Sequence, residues 1–239
     1  MFGVPSSIRI LGKINSYVKN DKNKNRYKVI ITPPFTLIEN FSNKLKKSNI
    51  KIGAQNCFHK DLFSSNTGAV SAFMLKKVKA EFVIIGHSDN RSEGDSEKVL
   101  KEKIKYSLKN KLKVIFCIGE NLKQKKNKKT VITLSNQIKH SLDKNINIKD
   151  IIIAYEPIWS IGTGLIPKKE ELSSIASKIK SILKKYFNTK KSPPLLYGGS
   201  VDGSNIEKFK YINSLDGFLI GGASKSSKKF IDIIKNYYR

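Results

Sequence analysis

Cysteine is scarce in this chain. Cys57 and Cys117 are the two thiols among 239 residues, and each lies within or at the end of an apolar run. So few cysteines exclude a disulfide-stapled scaffold and point to reduced thiols in a cytoplasmic protein. No apolar run reaches the roughly 18 residues of a membrane helix, so neither a spanning segment nor a membrane partner is expected. The opening Met1-Phe2-Gly3-Val4-Pro5-Ser6-Ser7 lacks the basic and apolar regions of a signal peptide. There is no Walker loop and no dinucleotide fingerprint. Of the three histidines, His59 and His140 have no neighbours at metal-ligand spacing. Neither a metal nor a cofactor is expected.

Acidic residues are few as well. Asp and Glu total 19 against 46 Lys and Arg, giving a formal charge of +27 and a pI near 10.0. A field of that sign can attract nucleic acid, anionic lipid or an anionic metabolite. The charges are spread along the chain, however, and the densest cluster, 123–129, reads as a solvated loop. No basic patch interleaved with aromatics accompanies it, so nucleic acid is not an expected partner. The excess reads as compositional drift toward Lys, Asn and Ile.

What is present is a core and a rhythm. Hydrophobic residues make up 39%, enough to exclude a disordered chain, and the length suits one domain, 1–239, of the size that α/β barrels reach. Apolar runs fall at 28–32, 50–57, 82–87, 113–119, 151–156, 194–199 and 217–221, each ending at a polar or glycine position. That is the pattern of buried parallel strands with function at their C-terminal ends. Between them, 96–109 places Val99, Lys103/Ile104 and Leu108 at helical spacing, and 172–186 places Leu172, Ile175, Ile179, Ile182 and Leu183 on one stripe. Segments 6–18 and 225–237 read as helices too. Roughly seven strand–helix units after an extra first helix predict an α/β parallel sheet curled into a barrel. A closed TIM (β/α)8 barrel has eight strands, so the pattern reads as such a barrel with strand 1 absent. A doubly wound sheet is the alternative. It requires a glycine-rich turn after the first strand, and Thr32-Pro33-Pro34-Phe35 is no such turn.

The strand ends collect chemistry. One buried run delivers His87, another delivers Glu156 ahead of Pro157, and the last two deliver Gly198-Gly199-Ser200 and Gly221-Gly222-Ala223-Ser224. Singly, each has an ordinary reading: a structural histidine, a loop carboxylate, a tight turn. Together they share one end of one predicted barrel. Bare backbone N–H groups at glycines suit a phosphate, and barrels often hold one after their last two strands. A base, a polarising imidazole and a phosphate cradle suggest proton transfer beside a carbonyl in a phosphorylated substrate.

Six motifs make the reading specific. Gly53-Ala54-Gln55-Asn56-Cys57, Gly86-His87-Ser88, Cys117-Ile118-Gly119-Glu120, Tyr155-Glu156-Pro157-Ile158-Trp159-Ser160-Ile161-Gly162-Thr163-Gly164, Tyr197-Gly198-Gly199-Ser200-Val201 and Gly221-Gly222-Ala223-Ser224 follow in that order. In order and spacing, over the whole chain, they resemble the motifs of the triose-phosphate isomerase family. The resemblance implies a cofactor-free isomerase of glycolysis and gluconeogenesis that interconverts dihydroxyacetone phosphate and glyceraldehyde 3-phosphate. It implies Glu156 as the base and His87 as the neutral electrophile. It implies 157–164 as a closing lid, with Gly162, Ser200, Gly221 and Gly222 binding phosphate through backbone N–H groups. Tyr197 would steady the closed lid, and Cys117 and Glu120 would be supporting residues. The 67–70 segment resembles the loop by which each family subunit enters its neighbour, which implies a homodimer.

Some positions depart from the family. Its first strand ends in Asn-x-Lys-Met-x-Gly. Met1-Phe2-Gly3 resembles the last three positions, so the strand, its Asn and its Lys are expected upstream of residue 1. Asp89 stands where Glu is usual, Asn90 where Arg is usual, and Ala69 where an acidic residue is usual. The alternative function is an inactive or impaired remnant that binds a phosphorylated metabolite without turnover.

Overall fold

A computed structural model describes residues 3–61 and 64–239. Met1 and Phe2 of the N-terminal signature lie outside the described residues. Chain order runs α1 (Ile8–Asn20), β1 (Ile30–Ile31), α2 (Ile38–Lys44), β2 (Lys51–Ala54), α3 (Ala72–Lys77), β3 (Phe82–Ile85), α4 (Ser88–Ser92), α5 (Glu97–Lys109) and β4 (Lys113–Ile118). It continues through α6 (Leu122–Lys126), α7 (Thr130–Ser141), β5 (Ile151–Tyr155), α8 (Lys169–Tyr186), β6 (Leu195–Tyr197), β7 (Gly217–Phe218) and α9 (Ser227–Tyr237).

The seven strands of the sheet lie side by side in chain order, all parallel. Consecutive parallel strands need a crossover between them, and the helices supply it on the outside of the curl. Among the described residues no ladder joins β7 to β1. On that side α9 packs against α1. Tyr238 stacks on Tyr27 at 5.4 Å and Tyr237 meets Phe218 of β7 edge-on at 5.5 Å. One helix end thus touches the flanks of both edge strands.

Two apolar clusters show which way the strands face. Ile84, Ile115, Cys117 and Ala154 form one. Val83, Ile85, Val114, Phe116, Ile118, Ile153 and Tyr155 belong to the other, with the buried faces of the helices. This is the two-residue alternation of a strand, with an inner side and a helix-facing side. Among the described residues no helix is long and apolar enough to cross a membrane.

All seven predicted runs contain a strand, but each ladder is shorter than its run. The run 82–87 pairs only through Ile85, and 194–199 only over Leu195–Tyr197. Beyond those points the chain leaves the sheet to build loops. The helix predicted over 96–109 starts at Glu97, with the Ser96 side chain accepting the Val99 N–H as N-cap. Its buried stripe is Leu100, Lys103, Ile104 and Ser107, which keeps the predicted Lys103 and Ile104 but has Leu100 for Val99 and Ser107 for Leu108. Lys103 can be buried because Asp95 holds its ammonium at 2.7 Å and Asn56 at 2.9 Å. The 123–129 cluster is not simply a loop. Asn121 and Gln124 form a capping box that starts α6. The helix α7 escaped the sequence reading because its apolar stripe is sparse, with Leu134 and Ile138 as its buried hydrophobic residues.

Candidate active site

Strand alternation places the carboxylate. Ala154 faces inward, so Glu156, two residues on, does too, beside inward-facing Cys117. Its side chain is 3% exposed, and Oε1 lies 3.4 Å from His87 Nε2. Burial pushes the carboxyl up to about 7, against the opposing pull of His87, the Cys117 thiol and the Ser88 amide. A buried carboxyl near neutrality is what proton abstraction at physiological pH requires. Cys117 itself is fully buried, and desolvation holds its thiol well above the ordinary range. It is a partner for the carboxylate and not a nucleophile.

Two glycines leave room for Glu156. A Cβ on Gly119 would lie 1.8 Å from the Glu156 main-chain oxygen, and one on Gly198 would lie 2.8 Å from Glu156 Cγ. The Gln137 amide grips Gly119 by both ends, donating to its carbonyl and accepting its N–H, each at 2.9 Å.

The histidine is set by the helix it caps. His87 is the N-cap of α4, and its Nδ1 accepts the Asp89 N–H at 3.2 Å. A nitrogen that accepts cannot carry the proton, so the proton of the neutral ring sits on Nε2, the atom facing Glu156. The Asp89 carboxylate lies 3.5 Å from Nδ1 but is 80% exposed, leaving its charge to solvent screening.

Segment 157–164 follows Glu156 directly. It begins with the short turn Ile158–Ser160, then turns twice more at positive φ, +69° at Gly162 and +77° at Gly164. Only glycine adopts such angles without strain. Ser200 Oγ donates to the Ser160 carbonyl at 2.7 Å and accepts the Gly164 N–H at 3.2 Å. Tyr197 Oη lies 3.2 Å from Ser160 Oγ. Two loops after neighbouring strands are thereby tied together. Gly221 and Gly222 follow β7, whose Phe218 pairs with Tyr197 of β6. No atom stands within 4 Å of where a Cβ would sit on either glycine, so their backbone is open to a ligand.

Glu120 is wholly buried. Its Oε1 accepts the Trp159 indole N–H at 2.9 Å and the Tyr155 hydroxyl at 3.2 Å. Burial raises its carboxyl. Trp159 is also roofed by Lys125, whose Nζ lies 3.5 Å from the ring centroid and pairs with Glu171 at 2.8 Å. Trp159, near the start of segment 157–164, is thus held by Lys125 of α6, which Glu171 of α8 anchors.

The structure brings His87 and Glu156 into contact and joins Ser160 and Gly164, which flank Gly162, to Ser200. It sets Gly221 and Gly222 on the adjacent strand end. Sequence reasoning quoted Gly119 and Gly198 within motifs but gave them no task, and it did not find Arg91 or Gln137. A glycine following an apolar run is a signal for close approach, but what approaches is not in the local sequence.

These features define a (β/α) barrel that holds a buried carboxylate beside a histidine at the C-terminal ends of its strands. A sequence profile described as triosephosphate isomerase matches residues 5–237. A triosephosphate isomerase of Dictyoglomus thermophilum is 36% identical over 228 residues, covering 93% of this chain and 91% of that one. One of Wolbachia pipientis is 39% identical over 237 residues, covering 98% and 90%. The crystal structure of triosephosphate isomerase from Bartonella henselae superposes with a TM-score of 0.90 at 31% identity, over 100% of this chain and 96% of that one. The chain belongs to the triosephosphate isomerase family, and it is an isomerase.

Proposed function

We propose that Glu156 and His87 carry the family reaction here, the interconversion of dihydroxyacetone phosphate and glyceraldehyde 3-phosphate. The observation behind this is their contact: a buried carboxylate poised near 7, 3.4 Å from an imidazole nitrogen that carries a proton. Glu156 takes the proton from C1 of dihydroxyacetone phosphate while His87 Nε2–H bonds the C2 oxygen, giving an enediolate. His87 moves the hydroxyl proton from the C1 oxygen to the C2 oxygen, and return of the carbon-bound proton from Glu156 to C2 completes the aldehyde. The backbone N–H groups of Gly162, Ser200, Gly221 and Gly222 hold the phosphate, and the 157–164 lid excludes water from the enediolate.

Further readings accompany this one. The chain works as one domain, 1–239, in the cytoplasm and as a homodimer that uses the 67–70 loop. The support for the dimer is the motif resemblance of that loop. A binder without turnover is the less favoured reading, since binding phosphate needs no carboxylate held near neutrality beside an imidazole. The test is turnover in deuterated water with the wild type and Glu156→Gln. Isomerisation with deuterium incorporated at carbon, lost in the variant by several powers of ten while inorganic phosphate still binds, is the expected result. Near-normal turnover by the variant would remove Glu156 from the mechanism.

A further inference from the structure

The ladder between β3 and β4 stops at the pair Ile85–Phe116. One residue further on, the chain turns out of the sheet at Gly86, where φ is +79°. The next carbonyl on each strand then lacks a ladder partner, and one side chain serves both. Arg91 Nε donates to Gly86 O at 2.8 Å, and a terminal guanidinium nitrogen donates to Cys117 O at 3.2 Å. Its other terminal nitrogen pairs with Glu97 at 2.7 Å, and the second Glu97 oxygen accepts from Ser141 Oγ. The Arg91 main-chain N–H donates to His87 O at 3.0 Å. The side chain is 16% exposed and lies over the Phe116 ring at 5.8 Å.

Gly86 directly precedes His87. Cys117 places its thiol against the Glu156 carboxylate. We infer that Arg91 is a positioning residue for the isomerisation: it replaces the missing end of the β3–β4 ladder and so fixes the distance between His87 and Glu156. A planar fork with donors at fixed angles can do this, whereas a single ammonium cannot reach two carbonyls and a carboxylate at once. Glu97, held by Ser141, keeps the fork from rotating. This inference rests on the proposed roles of Glu156 and His87.

The experiment compares Arg91→Ala, Arg91→Lys and Glu97→Gln with the wild type and with Glu156→Gln, each checked for folding by circular dichroism. The readouts are kcat and the inhibition constant of inorganic phosphate, which reports the phosphate cradle alone. A misplacement of the pair costs on the order of 10²-fold in kcat, so Arg91→Ala and Arg91→Lys are expected to lose that much while phosphate inhibition stays within about threefold. Glu97→Gln loses less. Added guanidinium restores part of the Arg91→Ala turnover by refilling the fork site, and a merely structural role would not give that response. Should Arg91→Ala fail to fold, Arg91→Lys and Glu97→Gln carry the same split. Folded Arg91 variants with kcat within about twofold of wild type, or a parallel loss of kcat and phosphate binding, would overturn the inference. If Glu156→Gln is inactive while the Arg91 variants are normal, the positioning claim alone fails. If Glu156→Gln is as active as wild type, the underlying assignment fails.

Discussion

The α-carbon of Gly119 faces the main-chain carbonyl of Glu156 so closely that a methyl group there would sit 1.8 Å from the oxygen. The chain just past β4 and the chain just past β5 can therefore touch only through a bare backbone.

Gly119→Ala should force the two segments apart. The obstacle is backbone and not a flexible side-chain tip, so relief requires displacing Glu156. Overpacking of this kind costs about 1–3 kcal/mol or more, and a shift of the base costs on the order of 10²-fold in kcat. Gly12→Ala is the control, because Gly12 lies inside α1 with nothing within 4 Å of its missing Cβ. That change should stabilise the protein by about 0.5–1 kcal/mol. Urea unfolding and kcat for both variants check the pair. A normal kcat in Gly119→Ala would contradict the geometry.

Glu156 is bought at the expense of stability. Its folded carboxyl titrates at about 7 against an ordinary value of 4.5. Between those values the folded state holds a proton that the unfolded state has released, so stability falls as pH rises through the window and the penalty is complete above 7. A shift of that size corresponds to roughly 3 kcal/mol. Glu156→Gln should match the wild type near pH 4 and exceed it by up to that amount at pH 8, while losing turnover. Denaturant melts at the two pH values measure the difference. A variant less stable than wild type at pH 8 would refute the burial argument.

Lys125 should steady the lid hinge. Its ammonium lies 3.5 Å from the Trp159 ring centroid and pairs with Glu171. A cation–π contact at a partly exposed site is worth about 0.5–1 kcal/mol. Trp159 is the chain's single tryptophan, so its emission reports this contact without interference. Lys125→Ala should change that emission and its quenching by iodide, and a double-mutant cycle with Trp159→Phe should return a coupling of that order. An additive cycle would show that the stacking contributes nothing.

The proposed dimer makes a hydrodynamic prediction. A loop that docks in a partner implies an interface of at least about 1,200 Å² in total. The protein should sediment as a dimer at micromolar concentration, and Thr67→Asp beside Gly68 should shift it toward monomer. A folded, active monomer of the unaltered chain would contradict the assignment of 67–70.

The sequence by itself determined the rhythm of the fold and singled out the groups proposed to react. Val, Ile and Phe runs ending in glycine or a polar residue can form buried parallel strands and little else, so the order of elements was legible from one chain. His87 and Glu156 stood out because each lies just past a buried apolar run, inside a motif that resembles the family's. The lengths of the ladders were not, because the same apolar residues that pair in a strand also line a loop leaving it. Tertiary structure alone decided the rest. Lys103 falls on the predicted stripe of 96–109, but only Asp95 and Asn56 beside it show how its charge is buried. The 123–129 cluster reads as solvated until Lys125 is seen lying on Trp159. Arg91 bonds Cys117, 26 residues away, and Gly119 makes way for the Glu156 carbonyl just past the neighbouring strand. Each depends on which strand ends meet, a long-range fact that local propensity and periodicity do not carry.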